Sequence, residues 1–123
     1  MFYSRSMIHK LILTKIYFVD LPGPPSAPVA DEIFRDSCKL TWSPPETDGG
    51  TEITGYFVER SMTGKNRWVR INKVKVTDRS LIVDDLIEGN EYTFRVLAEN
   101  QVGEGPPGPK SGNIIAKDPW GKN

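Results

Sequence analysis

The chain has 123 residues, 37% hydrophobic, 10% aromatic and 26% charged, a composition that fits one soluble domain and excludes disordered or membrane-embedded classes. Its 16 basic and 16 acidic residues cancel, which removes the electrostatic case for a nucleic-acid partner. With one cysteine, Cys38, and one histidine, His9, there is no intrachain disulfide, no thiolate zinc site and almost no material for a catalytic triad. Gly-rich phosphate loops are absent as well, so an enzyme, a cofactor and a metal are not expected.

Residues 1–19 read as a segment outside the domain, either a tail or a stretch foreign to it. Lys10 and Lys15 interrupt its apolar run, so no membrane span is expected. A secretory signal is also disfavoured, because Lys15 breaks the apolar stretch and Tyr17-Phe18-Val19-Asp20 lacks small residues. The segment carries Arg5, Lys10 and Lys15 and no acid, which leaves residues 20–123 with 13 basic against 16 acidic groups.

From residue 20 the chain changes character. Leu21-Pro22-Gly23-Pro24-Pro25-Ser26-Ala27-Pro28 predicts a stiff, extended connector, since proline fixes φ and offers no N–H. Apolar residues then recur with period two. Cys38, Leu40 and Trp42 alternate with polar neighbours, Pro44-Pro45 ends that strand, and Asp48-Gly49-Gly50 supplies turn residues. Tyr56 and Val58 form the next inward set, and Met62-Thr63-Gly64-Lys65-Asn66 a hairpin loop into Trp68-Val69-Arg70-Ile71. Leu81 and Val83 follow, then Leu86 and the run Tyr92, Phe94, Val96 and Ala98. A last strand is predicted over Asn113–Lys117, and Asp118-Pro119-Trp120 begins a second connector over 118–123. About seven short strands without a helical period predict an all-β fold, a seven-stranded antiparallel β-sandwich of immunoglobulin-like architecture. Its core would hold Leu40, Trp42, Tyr56, Val58, Leu81, Val83, Leu86, Tyr92, Phe94, Val96 and Ala98.

Leu40-x-Trp42-x-Pro44-Pro45, Tyr56-x-Val58, Leu86 and Tyr92-x-Phe94-x-Val96-x-Ala98-x-Asn100 resemble the skeleton of fibronectin type III domains. The longer runs from Trp42 through Asp48-Gly49-Gly50 to Glu59-Arg60, and from Glu88-Gly89 to Pro107, are similar to the type III repeats of giant sarcomeric proteins. Those are titin, twitchin and projectin and, more distantly, myosin-binding protein C. The resemblance covers residues 20–117, and Asp85 departs from it, standing where glycine is common. It implies a structural link in an intracellular array that spaces and bears load along a muscle thick filament. Implied partners are neighbouring immunoglobulin and type III domains and myosin or other thick-filament proteins, in the A-band of the sarcomere. The alternative is an extracellular adhesion or receptor module. Against it stand the missing Asn-x-Ser/Thr sequon and paired cysteines. Some relatives carry a kinase, but no kinase motif occurs here.

Lys65, Arg67, Arg70, Lys73, Lys75 and Arg79 form one basic cluster with only Asp78 among them, a candidate docking patch for an acidic protein. The plainer reading is that these cations guard a sheet edge against self-pairing. Gly103 and Gly105 read as turn formers, Asp84, Asp85, Glu88 and Glu91 as a solvated turn rather than a calcium loop, and Cys38 as a small core hydrophobe.

Overall fold

The computed structural model describes residues 18–120, so the expectations for residues 1–17 and 121–123 lie outside the described residues. Seven strands form: β1 (Val29–Asp31), β2 (Cys38–Thr41), β3 (Gly55–Met62), β4 (Val69–Arg70), β5 (Ser80–Val83), β6 (Glu91–Glu99) and β7 (Ile114–Ile115). They make two antiparallel sheets, β1-β2-β5 and β4-β3-β6-β7, the all-β sandwich that the alternation predicts. β3 and β6 are the long central pair, in register from Gly55 opposite Glu99 to Met62 opposite Tyr92. Successive strand side chains point to opposite faces, so Tyr56, Val58, Tyr92, Phe94, Val96 and Ala98 all meet the other sheet. Cys38, Leu40 and Val83 meet them from that side, and these inward residues are buried.

Trp42 stands one residue past β2, yet its N–H still donates to the Arg79 carbonyl at 3.1 Å. Its ring, 6% exposed, meets Tyr56 edge-on at 5.6 Å between centroids. The Ile87 N–H donates to the Tyr92 hydroxyl at 2.9 Å, closing the corner next to buried Leu86. Leu81 is only partly buried, because β5 is an edge of its sheet and covers the core from one side. Ile114 and Ala116 join the core as well. The strand predicted over Asn113–Lys117 is shorter than expected. It ladders at Ile114–Ile115, and Ala116 turns aside to exchange bonds with Gly89 and Asn90.

The stretch read as a stiff, extended entry connector lies zipped along the sandwich. Asp20, Gly23 and Ser26 donate backbone bonds to Gly49, Thr47 and Ser43, while Pro22, Pro25 and Pro28 are buried. Every third residue bonds, and prolines three residues apart turn inward, which is the repeat of a polyproline-type chain. The far end of the domain has the same rhythm. Gly105, Gly108 and Ser111 are buried and donate to the carbonyls of Ala98, Val96 and Phe94 on β6. The two segments run side by side and parallel, and a Cβ on Gly105 or Gly108 would overlap the carbonyl oxygen of Pro22 or Pro25. Gly105 is therefore glycine for close approach, not for a turn.

Asp48-Gly49-Gly50 is the turn its residues predict, with φ of +83° and +89° at the two glycines and the Asp48 carboxylate accepting the Gly50 N–H. Asn100, 2% exposed, ties this end together by donating through Nδ2 to the carbonyls of both Asp20 and Asp48. At the other end the exit is held too. The Asp118 carboxylate accepts the Arg35 N–H at 3.0 Å, and the Trp120 ring lies 5.9 Å from Phe34. The segment from Asp118 to Trp120, read as the start of the second connector, packs against the β1–β2 loop.

Candidate docking surface

β4 is an edge strand, and the basic cluster runs from the β3–β4 loop (Lys65, Arg67) through β4 (Arg70) to the chain that leads on to β5 (Lys73, Lys75, Arg79). The structure does not bring the six residues to one face. Arg70 stands opposite Glu59 on the outer face of the four-stranded sheet. Its guanidinium lies 4.1 Å from the Phe57 ring centroid and grips Glu104 with two bonds of 2.8 and 2.7 Å. This fork raises the pKa of Arg70 and lowers that of Glu104, the mutual hydrogen bond being the main cause in each. Lys75 lays its methylenes across Gly55 and bonds through Nζ to Thr54 Oγ1 and Glu99 Oε1, both at 2.9 Å. These two cations are consumed within the molecule. Lys65, Arg67, Lys73 and Arg79 are exposed. The Arg79 guanidinium is close enough to pull the Tyr56 pKa down, although burial outweighs it and the phenol is raised.

The outer face holds a lattice that period-two reading assigns to solvent. Arg95 donates to Glu59 at 2.7 Å and stacks its guanidinium 4.3 Å from the centroid of Trp68. Glu59 thus sits between Arg95 and Arg70, and Phe57 and Leu97, 8% and 7% exposed, lie beneath them. Arginine and lysine stems cover these outward apolar residues while their heads remain wet. Three carboxylates, Glu59, Glu99 and Glu104, balance Arg70, Arg95 and Lys75, so this face presents little net charge. The signal was an apolar residue at an outward position, Phe57 opposite Leu97, within reach of three arginine-bearing or carboxylate-bearing positions.

The four remaining cations divide. Lys65 and Arg67 join Arg60, Met62, Val69 and Ile87 around an open cleft of ≈ 220 Å³ where β3 turns into β4. Lys73 and Arg79 line none of it. Elsewhere, burial pushes the Cys38 thiol up to about 11, which makes it a poor nucleophile at neutral pH. Among the described residues no three His, Cys, Asp or Glu side chains converge as metal ligands, and no helix is long and apolar enough to cross a membrane.

A family model, the fibronectin type III domain, matches residues 23–112. Slow-type myosin-binding protein C of Homo sapiens is 39% identical over 93 residues, which are 76% of this chain and 8% of that protein. The chain therefore spans a small fraction of the curated relatives that it matches. Among solved structures, titin domains A168–A170 superpose with a TM-score of 0.78 at 37% identity, covering 81% of this chain and 34% of that one. The twitchin kinase region of C. elegans gives a TM-score of 0.76 at 27% identity, over 85% of this chain and 18% of that one. Identities of 37% and 39% do not separate the titin likeness from the myosin-binding protein C likeness. These relatives are modules of structural muscle proteins, the kinase lies in other parts of some of them, and this chain is not an enzyme. On that match over most of its length, the chain belongs to the fibronectin type III domain family.

Proposed function

We propose that this domain is a spacing and load-bearing link of a modular intracellular muscle protein, and that it docks partners on the thick filament, myosin among them. One observation carries the mechanical half of the reading. The chain is pinned at Asp20 beside the Asn100 end of β6 and at Ala116 beside its Asn90 end, with Asp118 and Trp120 held just beyond. Load therefore enters and exits at opposite ends of a body set by nine β6 residues, a length of about 30 Å. The Pro22–Pro25 and Gly105–Gly108 segments lie parallel between those points, so tension shears their seam instead of peeling it. The domain occupies residues 20–117 in this reading, with further immunoglobulin or type III domains on either side, and it works in the A-band of the sarcomere. Its relatives in titin, twitchin and myosin-binding protein C support that setting. Many such links, each docking weakly, would hold by avidity.

Co-sedimentation with purified myosin filaments tests the docking half. The chain is expected to pellet with the filaments in low salt and to be released as salt rises. A chain that stays in the supernatant at every salt concentration overturns it.

A further inference from the structure

The cleft between β3 and β4 has a chemistry that the fold does not use. Met62, Val69 and Ile87 expose 40%, 45% and 62% of their surface there, three apolar side chains around one depression. Arg60, Lys65 and Arg67 rim it, and no carboxylate is among its lining residues. Arg60 lies 5.7 Å from the Tyr92 ring centroid, which orients it along the wall. Among the described residues the ion pairs engage Arg70, Lys75 and Arg95, and none of the three rim cations. The neighbouring outer face differs. There each cation has its carboxylate, while here three cations surround an apolar floor with no counter-charge.

We propose that this cleft receives an acidic segment of a partner protein that anchors on it with a bulky apolar side chain. Charge complementarity selects that occupant. The chain's own residues 1–17 do not suit it, since their charged groups are Arg5, Lys10 and Lys15, and residues 121–123 offer only Lys122. The inference rests on the docking reading above and narrows it to one site and one partner chemistry. Lys73 and Arg79 of the basic cluster take no part.

The test is a titration of the full, ¹⁵N-labelled chain with a short peptide alternating glutamate and leucine, followed by amide chemical shifts. Shifts confined to Ser61–Val69 and Ile87–Tyr92 are expected, with none when lysine replaces glutamate in the peptide. Reversing both exposed cations (Lys65→Glu with Arg67→Glu) should weaken binding about tenfold or more while leaving the melting midpoint unchanged. Shifts elsewhere, equal binding by the double variant, or equal binding of the lysine peptide would each overturn the proposal. So would shifts that appear on concentrating the protein alone, because the occupant would then be a second copy. Failure here with filament co-sedimentation intact removes the cleft and keeps the docking reading. Peptide binding without co-sedimentation removes the thick filament and keeps the cleft.

Discussion

The carbonyl oxygen of Pro22 occupies the space that a side chain on Gly105 would need. Three residues on, Pro25 does the same to Gly108, so two extended segments far apart in sequence mesh by close approach of their backbones. Neither segment is a regular strand. The first bonds to the loop after β2 and the second to β6, which lets the seam bridge the two sheets.

Gly105→Ala tests that seam. The added methyl meets backbone, which cannot rotate away, so the substitution should cost about 1–3 kcal/mol, as overpacking does. Urea unfolding measures the loss. Single-molecule stretching should show a lower unfolding force for the variant than for the parent. Gly112, which a methyl would leave in open space, serves as the control when changed to alanine. Equal urea midpoints for Gly105→Ala and Gly112→Ala would show that the close approach is not maintained in solution.

The Trp42 indole is buried in the core without a hydrogen bond of its own. Among the described residues its Nε1 is the one buried side-chain polar atom that lacks a partner. Trp42→Ala should cost about 3–5 kcal/mol through the cavity it leaves. A single domain has only about 5–15 kcal/mol in total, so that variant should be largely unfolded at 37 °C. Trp42→Phe keeps much of the volume and discards an unsatisfied donor whose burial costs about 1–3 kcal/mol, so it should be clearly milder. Near-ultraviolet circular dichroism during thermal melting distinguishes them. Equal losses for the two variants would mean that the indole N–H is satisfied after all.

Asp85 has φ of +60°, in the left-handed region where a Cβ is unfavourable. It is exposed, and it stands where the resembled repeats commonly have glycine. Asp85→Gly is therefore expected to raise stability by about 0.5–1 kcal/mol, relief of backbone strain exceeding the entropy that glycine adds to the unfolded chain. A lower melting midpoint would contradict this.

The Arg70–Glu104 fork sets a pH dependence. Glu104 is held below the ordinary carboxylate value by Arg70, so its contribution is fully present above the unfolded pKa. It disappears as pH falls through the depressed folded value, below about 4.5. Both side chains are about one-third exposed, so the pair is worth at most about 1 kcal/mol, and less in high salt. Stability curves of the parent and Glu104→Gln should run apart at neutral pH and converge in acid. Curves that remain parallel down to pH 3 would assign the acid sensitivity to other carboxylates.

Much of the architecture was legible in the chain because alternation is a local property. Residues two apart on one strand share a face whatever that strand pairs with, so Tyr92, Phe94, Val96 and Ala98 declared their side before any partner was known. β1 gave no such signal, being three residues long with two exposed. The three-residue spacings Pro22–Pro25–Pro28 and Gly105–Gly108–Ser111 were also present in the letters. The first read as a stiff connector and Gly105 as a turn former, because a two-residue period identifies a strand only where its bonds come at strand spacing.

Charge partnership was of another kind. Six cations close in sequence looked like one patch, and only folding could divide them. Arg70 finds Glu104 across 34 residues, and Lys75 finds Glu99 across 24, because the register of β3 against β6 carries Glu99 to Gly55. What the sequence determined by itself was which residues would turn inward. Which cations would be neutralised, and which left bare around an apolar cleft, depended on distances between segments that meet only after both sheets have closed.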